Sequence, residues 1–181
     1  MSFISEFFKN KSEIGAVAPS SKFLGKKMYG GIDFSKVKCI VEFGPGTGVF
    51  TKEILKRMNP EASMIVFETN PSFYEKLKKE IKDERALILN ESAEKIGEYL
   101  SLKNHEKADY IISSLPLTVF PKKLKENILK SAVENLSEKG QYIQFQYSLN
   151  AHKLLKENFG SVKLAFSLIN VPPAFVYKCS L

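Results

Sequence analysis

Two carboxylates and three glycines carry the chemistry most legible in this chain. Glu42-Phe43-Gly44-Pro45-Gly46-Thr47-Gly48 closes an apolar run that includes Ile40-Val41, and Ile65-Val66-Phe67-Glu68 closes a second one. Glycines so placed between a strand and a helix let the backbone approach a nucleotide-like ligand. An acid at the end of the next strand can bond ribose hydroxyls. The residues therefore point to binding of a ribose-bearing ligand at strand ends.

The spacing narrows the ligand. A dinucleotide loop has G-x-G-x-x-G, whereas this one is G-x-G-x-G with Val49 next. Glu42 stands two residues before the first glycine, where a carboxylate repels a pyrophosphate and attracts a cation. S-adenosylmethionine has a ribose, an adenine, an ammonium, a sulfonium and no phosphate. The alternative is a chance glycine turn or another nucleotide site. Glu42, Gly44, Gly46 and Gly48 resemble the first motif of class I methyltransferases, and Glu68 matches their ribose-binding acid. The resemblance implies a cofactor cradle of Glu42, Gly44, Pro45, Gly46, Thr47, Gly48 and Glu68, with Thr69 flanking the adenine. It places Ser92 and Ala93 at the adenine edge. Ser92 stands where the family commonly has an aspartate, and its other reading is a helix N-cap.

Ser114-Leu115-Pro116-Leu117 is the clue to the methyl acceptor. Class I enzymes that methylate nitrogen in adenines or glutamines often carry Asn/Asp-Pro-Pro-Tyr/Phe at this place. There the polar residue and carbonyls orient the amine, and the aromatic stacks on the planar base. This chain has leucine in place of the polar residue and of the aromatic. A stacked base loses its platform, whereas an aliphatic amine needs none.

Alternating strands and helices must position these groups. Apolar strands are expected at 37–43, 63–68, 86–89, 108–113 and 142–147, the last opened by Gly140. Helices are expected at 49–58, after Asn70-Pro71, at 92–100, 121–136 and 150–158. Asn70-Pro71 is an N-cap and first-turn pair. An earlier helix, capped by Ser20 or Ser21, runs to about Tyr29. The last two apolar runs, 162–171 and 174–179, flank Pro172-Pro173 with no room for a helix, which implies an antiparallel hairpin. The expected fold is α/β and Rossmann-like: a mostly parallel seven-stranded sheet, helices on both faces and a C-terminal antiparallel hairpin. One domain is expected over 1–181, with 1–30 as an N-terminal helical lid or membrane-contact segment.

Bulk properties set bounds on partners. The net charge of +7 attracts nucleic acids and anionic membranes. Nearly all of it is lysine; the only arginines are Arg57 and Arg85. Arginine is the preferred residue for bidentate phosphate and base contacts, so its scarcity weighs against specific RNA reading. A merely soluble, lysine-rich surface is the other explanation. The apolar runs are strand-length, so no transmembrane segment is expected. No secretory pattern is visible, and the expected location is cytoplasmic, peripheral at the inner membrane face. Cys39 and Cys179 lie in apolar runs, as buried reduced thiols do. Nothing has metal-ligand spacing. Phe3, Ile4, Phe7 and Phe8 recur at helical spacing opposite Ser5, Glu6 and Lys9. Such a helix lies in a membrane interface or packs on the domain as a lid.

Several segments together resemble the bacterial soluble phospholipid N-methyltransferases, which convert phosphatidylethanolamine towards phosphatidylcholine. They are Gly15-Ala16-Val17-Ala18-Pro19-Ser20-Ser21, the Glu42–Gly48 motif, Phe67-Glu68-Thr69-Asn70, Ser114-Leu115-Pro116-Leu117 and Asn170-Val171-Pro172-Pro173-Ala174-Phe175-Val176-Tyr177. The family also resembles rRNA adenine dimethyltransferases in fold and first motif. The resemblance implies S-adenosylmethionine as cofactor, S-adenosylhomocysteine as product, and a phospholipid surface or small amine as partner, with nucleic acid less favoured. It places Ser114, Leu115 and Pro116 at the reacting groups, and Tyr147 is expected beside them from its position near the cleft. Direct displacement by an uncharged amine is expected, with positioning and desolvation supplying most of the rate. Tyr147, His152 and Glu13 are candidate bases; His105 lies in a polar loop. The Phe3–Phe8 helix, with Lys122, Lys123 and Lys125, is expected to help the enzyme reach lipid. The alternatives are an rRNA adenine or small-molecule methyltransferase on the same fold, or a binding-only module.

Overall fold

The computed structural model describes residues 18–167 and 174–181. The Phe3–Phe8 helix, the Gly15–Val17 part of the small-residue loop, Glu13 and the Pro172-Pro173 turn lie outside them. Seven strands form one sheet: β1 Cys39–Phe43, β2 Ser63–Phe67, β3 Ala86–Leu89, β4 Ala108–Ser113, β5 Leu136–Gln146, β6 Ser161–Ser167 and β7 Ala174–Ser180. Their order is β3-β2-β1-β4-β5-β7-β6. The first five run parallel, and β7 is antiparallel to both β5 and β6. The expected α/β sheet with its closing antiparallel hairpin is therefore present.

Every residue of β1 is buried, as a central parallel strand covered on both faces must be. Alternation divides its side chains between two cores. Val41 and Phe43 join Ile111 and Tyr142 beneath helices α4 Ile96–Leu102, α5 Lys122–Asn135 and α6 His152–Asn158. Ile40 joins Val66, Ile112 and Ile143 beneath α1 Ala18–Tyr29, α2 Val49–Leu55 and α3 Pro71–Glu80. The described end of the N-terminal segment belongs to this second core: Leu24, Met28 and Tyr29 are buried. Cys39 and Cys179 are buried free thiols, and burial pushes both up to about 12.

Several boundaries differ from those expected. Ser20 and Ser21 stand inside helix α1, Ala18–Tyr29, rather than before it. Helix α4 is preceded by a 3-10 turn over Ala93–Lys95. Strand β5 starts at Leu136, well before Gly140. Its pairing with β4 jumps from Ala108↔Leu136 to Tyr110↔Gln141, so Ser137–Gly140 bulge from the ladder. The exposed Glu138 and Lys139 in that bulge hide the strand from an apolar pattern. The Asn70-Pro71 start of α3 is as expected: Asn70 Oδ1 accepts from the Ser72 and Phe73 amides at 2.9 and 3.2 Å.

Helix α2 stops at Leu55, short of the expected residue 58, where Arg85 meets it. The guanidinium donates to the carbonyls of Leu55 at 2.7 Å, Met58 at 2.8 Å and Asn59 at 3.1 Å. Asp83 pairs with it at 2.6 Å. The other arginine, Arg57, lies over the Tyr29 ring at 5.1 Å. Arg85→Ala removes this donor from the Leu55 and Met58 carbonyls, while Asn59 O keeps the Ala62 amide, and unfolding in urea should show a loss of about 2–3 kcal/mol. A loss below about 0.5 kcal/mol would mean that water replaces the guanidinium at no cost.

Candidate active site

Strand register brings the predicted residues to one edge. Phe43 pairs with Phe67 and Ser113, Phe67 with Leu89, and Ser113 with Gln144. The turns after β1, β2, β3 and β4 thus leave the sheet at the same level, the carboxyl edge where open α/β sheets bind ligands. The pairing continues past the strands: the Gly44 amide donates to Phe67 O, the Glu68 amide to Leu89 O and the Ser114 amide to Phe43 O.

Glu68 is buried and organises the glycine turn. Its Oε2 accepts from the Gly46 amide at 3.0 Å and its Oε1 from the Asn70 amide at 2.8 Å. Asn90 Nδ2 donates to the Glu68 carbonyl at 2.8 Å. A side chain at Gly46 would meet nothing within 4 Å, so the turn opens onto free space there. Pro45 is half-buried, and Thr47 and Thr69 are exposed. Ser92 caps the 3-10 turn: its Oγ accepts from the Glu94 amide at 3.3 Å and donates to the Glu94 carboxylate at 2.9 Å. Ala93 is buried behind it.

Glu42 is wholly buried. Its Oε2 accepts from Thr51 Oγ1 at 2.6 Å, while Oε1 has no hydrogen-bond partner. Burial is the main reason its carboxyl is pushed up to about 8; the Thr51 hydroxyl opposes the shift and the negative Glu68 adds to it. An unpartnered buried carboxylate oxygen is costly. Next to a second acid and an open glycine turn, it suits a ligand that carries positive charge.

A cleft at the ends of β4 and β5 is lined by Ser114, Leu115, Pro116, Thr118, Phe145, Gln146, Tyr147 and Ser148. The Leu115 carbonyl accepts from Gln144 Nε2 at 3.0 Å and Gln146 Nε2 at 2.8 Å. Tyr142 OH in turn donates to Gln144 Oε1 at 2.7 Å. This network pins the β4 loop to β5 and holds Gln146 at the cleft wall. Tyr147 is 40% exposed, and its ring stands edge-on to Phe145 at 5.5 Å.

Residues 16–167 match the methyltransferase small domain family. The chain belongs to that family. It is accordingly an S-adenosylmethionine-dependent methyltransferase. Over 179 residues it is 28% identical to the ornithine lipid N-methyltransferase of Singulisphaera acidiphila, covering 98% of this chain and 93% of that one. Its fold is that of the precorrin-6y C5,15-methyltransferase of Geobacter metallireducens, with a TM-score of 0.69 at 12% identity over 91% of this chain and 90% of that chain. Human methyltransferase-like protein 13 in complex with SAH is also similar, with a TM-score of 0.67 at 14% identity over 87% and 82% of the two chains.

Within this methyltransferase the predicted residues form two groups. Glu42, Gly44–Gly48, Glu68, Thr69, Ser92 and Ala93 surround the first three strand ends, and Ser114, Leu115, Pro116 and Tyr147 meet at the fourth and fifth. Ser114 is itself a polar group at the cleft, so the segment keeps a hydroxyl beside Leu115. Sequence reasoning missed Thr51, Gln144 and Gln146. The detectable signal was two glutamines at alternate positions of an apolar strand, which must share one face. His152 lies against the Tyr177 ring, with ring centroids 6.0 Å apart. His105 precedes β4, at the opposite edge of the sheet. Among the described residues no helix is long and apolar enough to cross a membrane.

Proposed function

We propose that this enzyme methylates the amine of an aminophospholipid, carrying phosphatidylethanolamine towards phosphatidylcholine. The observation that carries this is the make-up of the cleft. Four small or amide polar residues, Ser114, Thr118, Gln146 and Ser148, stand among Leu115, Pro116, Phe145 and Tyr147, and of the two rings Tyr147 is the exposed one. That suits an aliphatic amine that becomes a fixed cation, because a ring face attracts an alkylated ammonium. Leu117, at the place where base-methylating enzymes carry their stacking aromatic, is buried and offers no platform there. The similarity to an ornithine lipid N-methyltransferase supports an amine on a lipid. Both arginines are engaged within the protein, which leaves lysine for phosphate contacts.

In this assignment Glu42 faces the cofactor's positive end and Glu68 its ribose. Gly44, Pro45, Gly46, Thr47 and Gly48 form the floor, and Thr69, Ser92 and Ala93 flank the adenine. The cofactor supplies an electrophilic methyl group. The apolar walls disfavour an ammonium and promote its loss of a proton. Gln146 Oε1 and the Ser114 hydroxyl accept the remaining amine hydrogens and aim the lone pair; Tyr147 borders the acceptor as it gains charge. The gain comes from orientation and exclusion of water.

Gln146→Leu should lower methyl transfer by at least about ten-fold while cofactor affinity, read by calorimetry, stays unchanged. Unaltered turnover would remove Gln146 from the acceptor site. The proposal itself is tested with radiolabelled S-adenosylmethionine and phosphatidylethanolamine liposomes, with total RNA in parallel. Label in the lipid, lost in Glu68→Ala, supports it. Label in RNA with a steep salt dependence would replace it with an RNA methyltransferase. Label in neither would redirect attention to soluble amines.

A further inference from the structure

The exposed apolar side chains are not scattered. Val119 and Leu149 are 37% and 49% exposed, and each directly follows a cleft-lining residue, Thr118 and Ser148. A second group reaches the cleft through the sheet. Gln146 pairs with Phe175 on β7, and Phe175 pairs with Phe166 on the edge strand β6. Directly paired residues share a face, so a row runs from the cleft wall across Phe175 to the sheet edge. The Phe166 and Phe175 ring centroids are 4.8 Å apart, and Phe166 is 42% exposed. Leu164, on the same face, is 45% exposed. Of the exposed large apolar side chains among the described residues, only Leu102 and Leu181 do not belong to this set or to Tyr147 in the cleft. Exposed apolar side chains grouped about a cleft mark contact with another apolar phase.

Charge identifies that phase. Val119 is followed within four residues by Lys122 and Lys123, both exposed, and Leu149 by the exposed Lys153. Lys122 and Lys153 have only long ion pairs, each at 3.9 Å, to Glu126 and Glu157. The chain carries a net +7. Exposed apolar side chains with exposed lysines close to them in the chain match a bilayer interface with anionic headgroups.

We propose that Val119, Leu149, Leu164, Phe166 and Phe175 form the surface that seats this enzyme on an anionic bilayer. The acceptor's acyl chains then stay in the membrane beside the Phe175–Phe166 row, while its amine enters the cleft at Gln146. This rests on the lipid-amine assignment and adds the face through which the lipid arrives.

The test compares a Val119→Ser, Leu149→Ser, Phe166→Ser triple variant with a Leu102→Ser, Leu181→Ser control. Sedimentation with phosphatidylethanolamine–phosphatidylglycerol vesicles reads binding, and labelled methyl transfer reads activity on the same vesicles and on a water-soluble phosphoethanolamine ester. The triple variant should bind vesicles at least ten-fold more weakly and lose vesicle methylation in proportion. Its cofactor affinity and its activity on the soluble ester should equal those of the wild type, and the control should match the wild type throughout. Wild-type vesicle binding by the triple variant would overturn the docking surface while leaving lipid methylation intact. Equal binding to vesicles of phosphatidylcholine alone would overturn the role of charge. A wild-type enzyme that methylates neither vesicles nor ester would instead overturn the lipid-amine assignment.

Discussion

Glu42→Gln should make this protein more stable in alkali and much poorer at holding its cofactor. Glu42 is wholly buried, with one carboxylate oxygen on Thr51 and the other unpartnered. Its carboxyl is pushed up to about 8 from the ordinary 4.5, chiefly by burial. Between those values the folded chain binds a proton that the unfolded chain has released. Stability therefore falls as pH rises from about 4.5 through about 8, by up to about 1.4 kcal/mol per pH unit, or about 4–5 kcal/mol in all. A neutral glutamine can still accept from Thr51 and escapes this loss. Thermal unfolding should show no advantage for the variant at pH 5 and a clear one at pH 9.

Cofactor affinity should move the other way. The wild-type carboxylate ionises as pH rises towards 8 and then attracts a cation, so wild-type affinity should strengthen over that range. The variant should bind at least about ten-fold more weakly at pH 8.5 with a flat pH profile, because a buried charge partner is worth well over 1.4 kcal/mol. Calorimetry across pH 6–9 checks this. A variant that binds as the wild type does would detach Glu42 from the cofactor and make its burial unexplained.

The second large effect separates two glycines of one turn. A methyl group at Gly48 would come within 2.5 Å of Leu77 Cδ2, and Gly48 has φ +75°. Leu77 is fully buried in the core, so it cannot move without cost. Gly48→Ala should lower stability by about 2–4 kcal/mol through overpacking and left-handed strain. Gly46 shares the left-handed conformation, at φ +58°, but a methyl group there meets open space. Gly46→Ala should lose only about 1–2 kcal/mol of stability, yet it places a side chain where the ligand must approach. Cofactor affinity should fall by at least about a hundred-fold, more than strain in a folded protein explains. Urea unfolding and calorimetry on both variants give the comparison. Full cofactor affinity in Gly46→Ala would mean that the open space over this turn is not the binding site.

Sequence by itself determined which residues stand at the first three strand ends. An acid, three spaced glycines and a second acid one strand later are local features, and each sits at the end of an apolar run of strand length. Period and turn residues likewise placed most elements, because burial on both faces makes a parallel strand an unbroken apolar segment. The pairing of β7 between β5 and β6 was beyond reach. A hairpin implied that β6 and β7 are antiparallel, but which of them meets β5 depends on how the two fit the sheet, and no local pattern encodes it. That choice sets Phe175 beside Gln146 and leaves Phe166 at the edge. The long β5 was hidden by its polar bulge. Arg85 was counted only as charge, whereas it closes a helix end more than twenty residues away in sequence. The Leu115 carbonyl, held by two glutamine amides about thirty residues further along the chain, was equally invisible. Contacts between residues so distant in sequence exist only after the chain has folded, and the cleft at the ends of β4 and β5 is made of them.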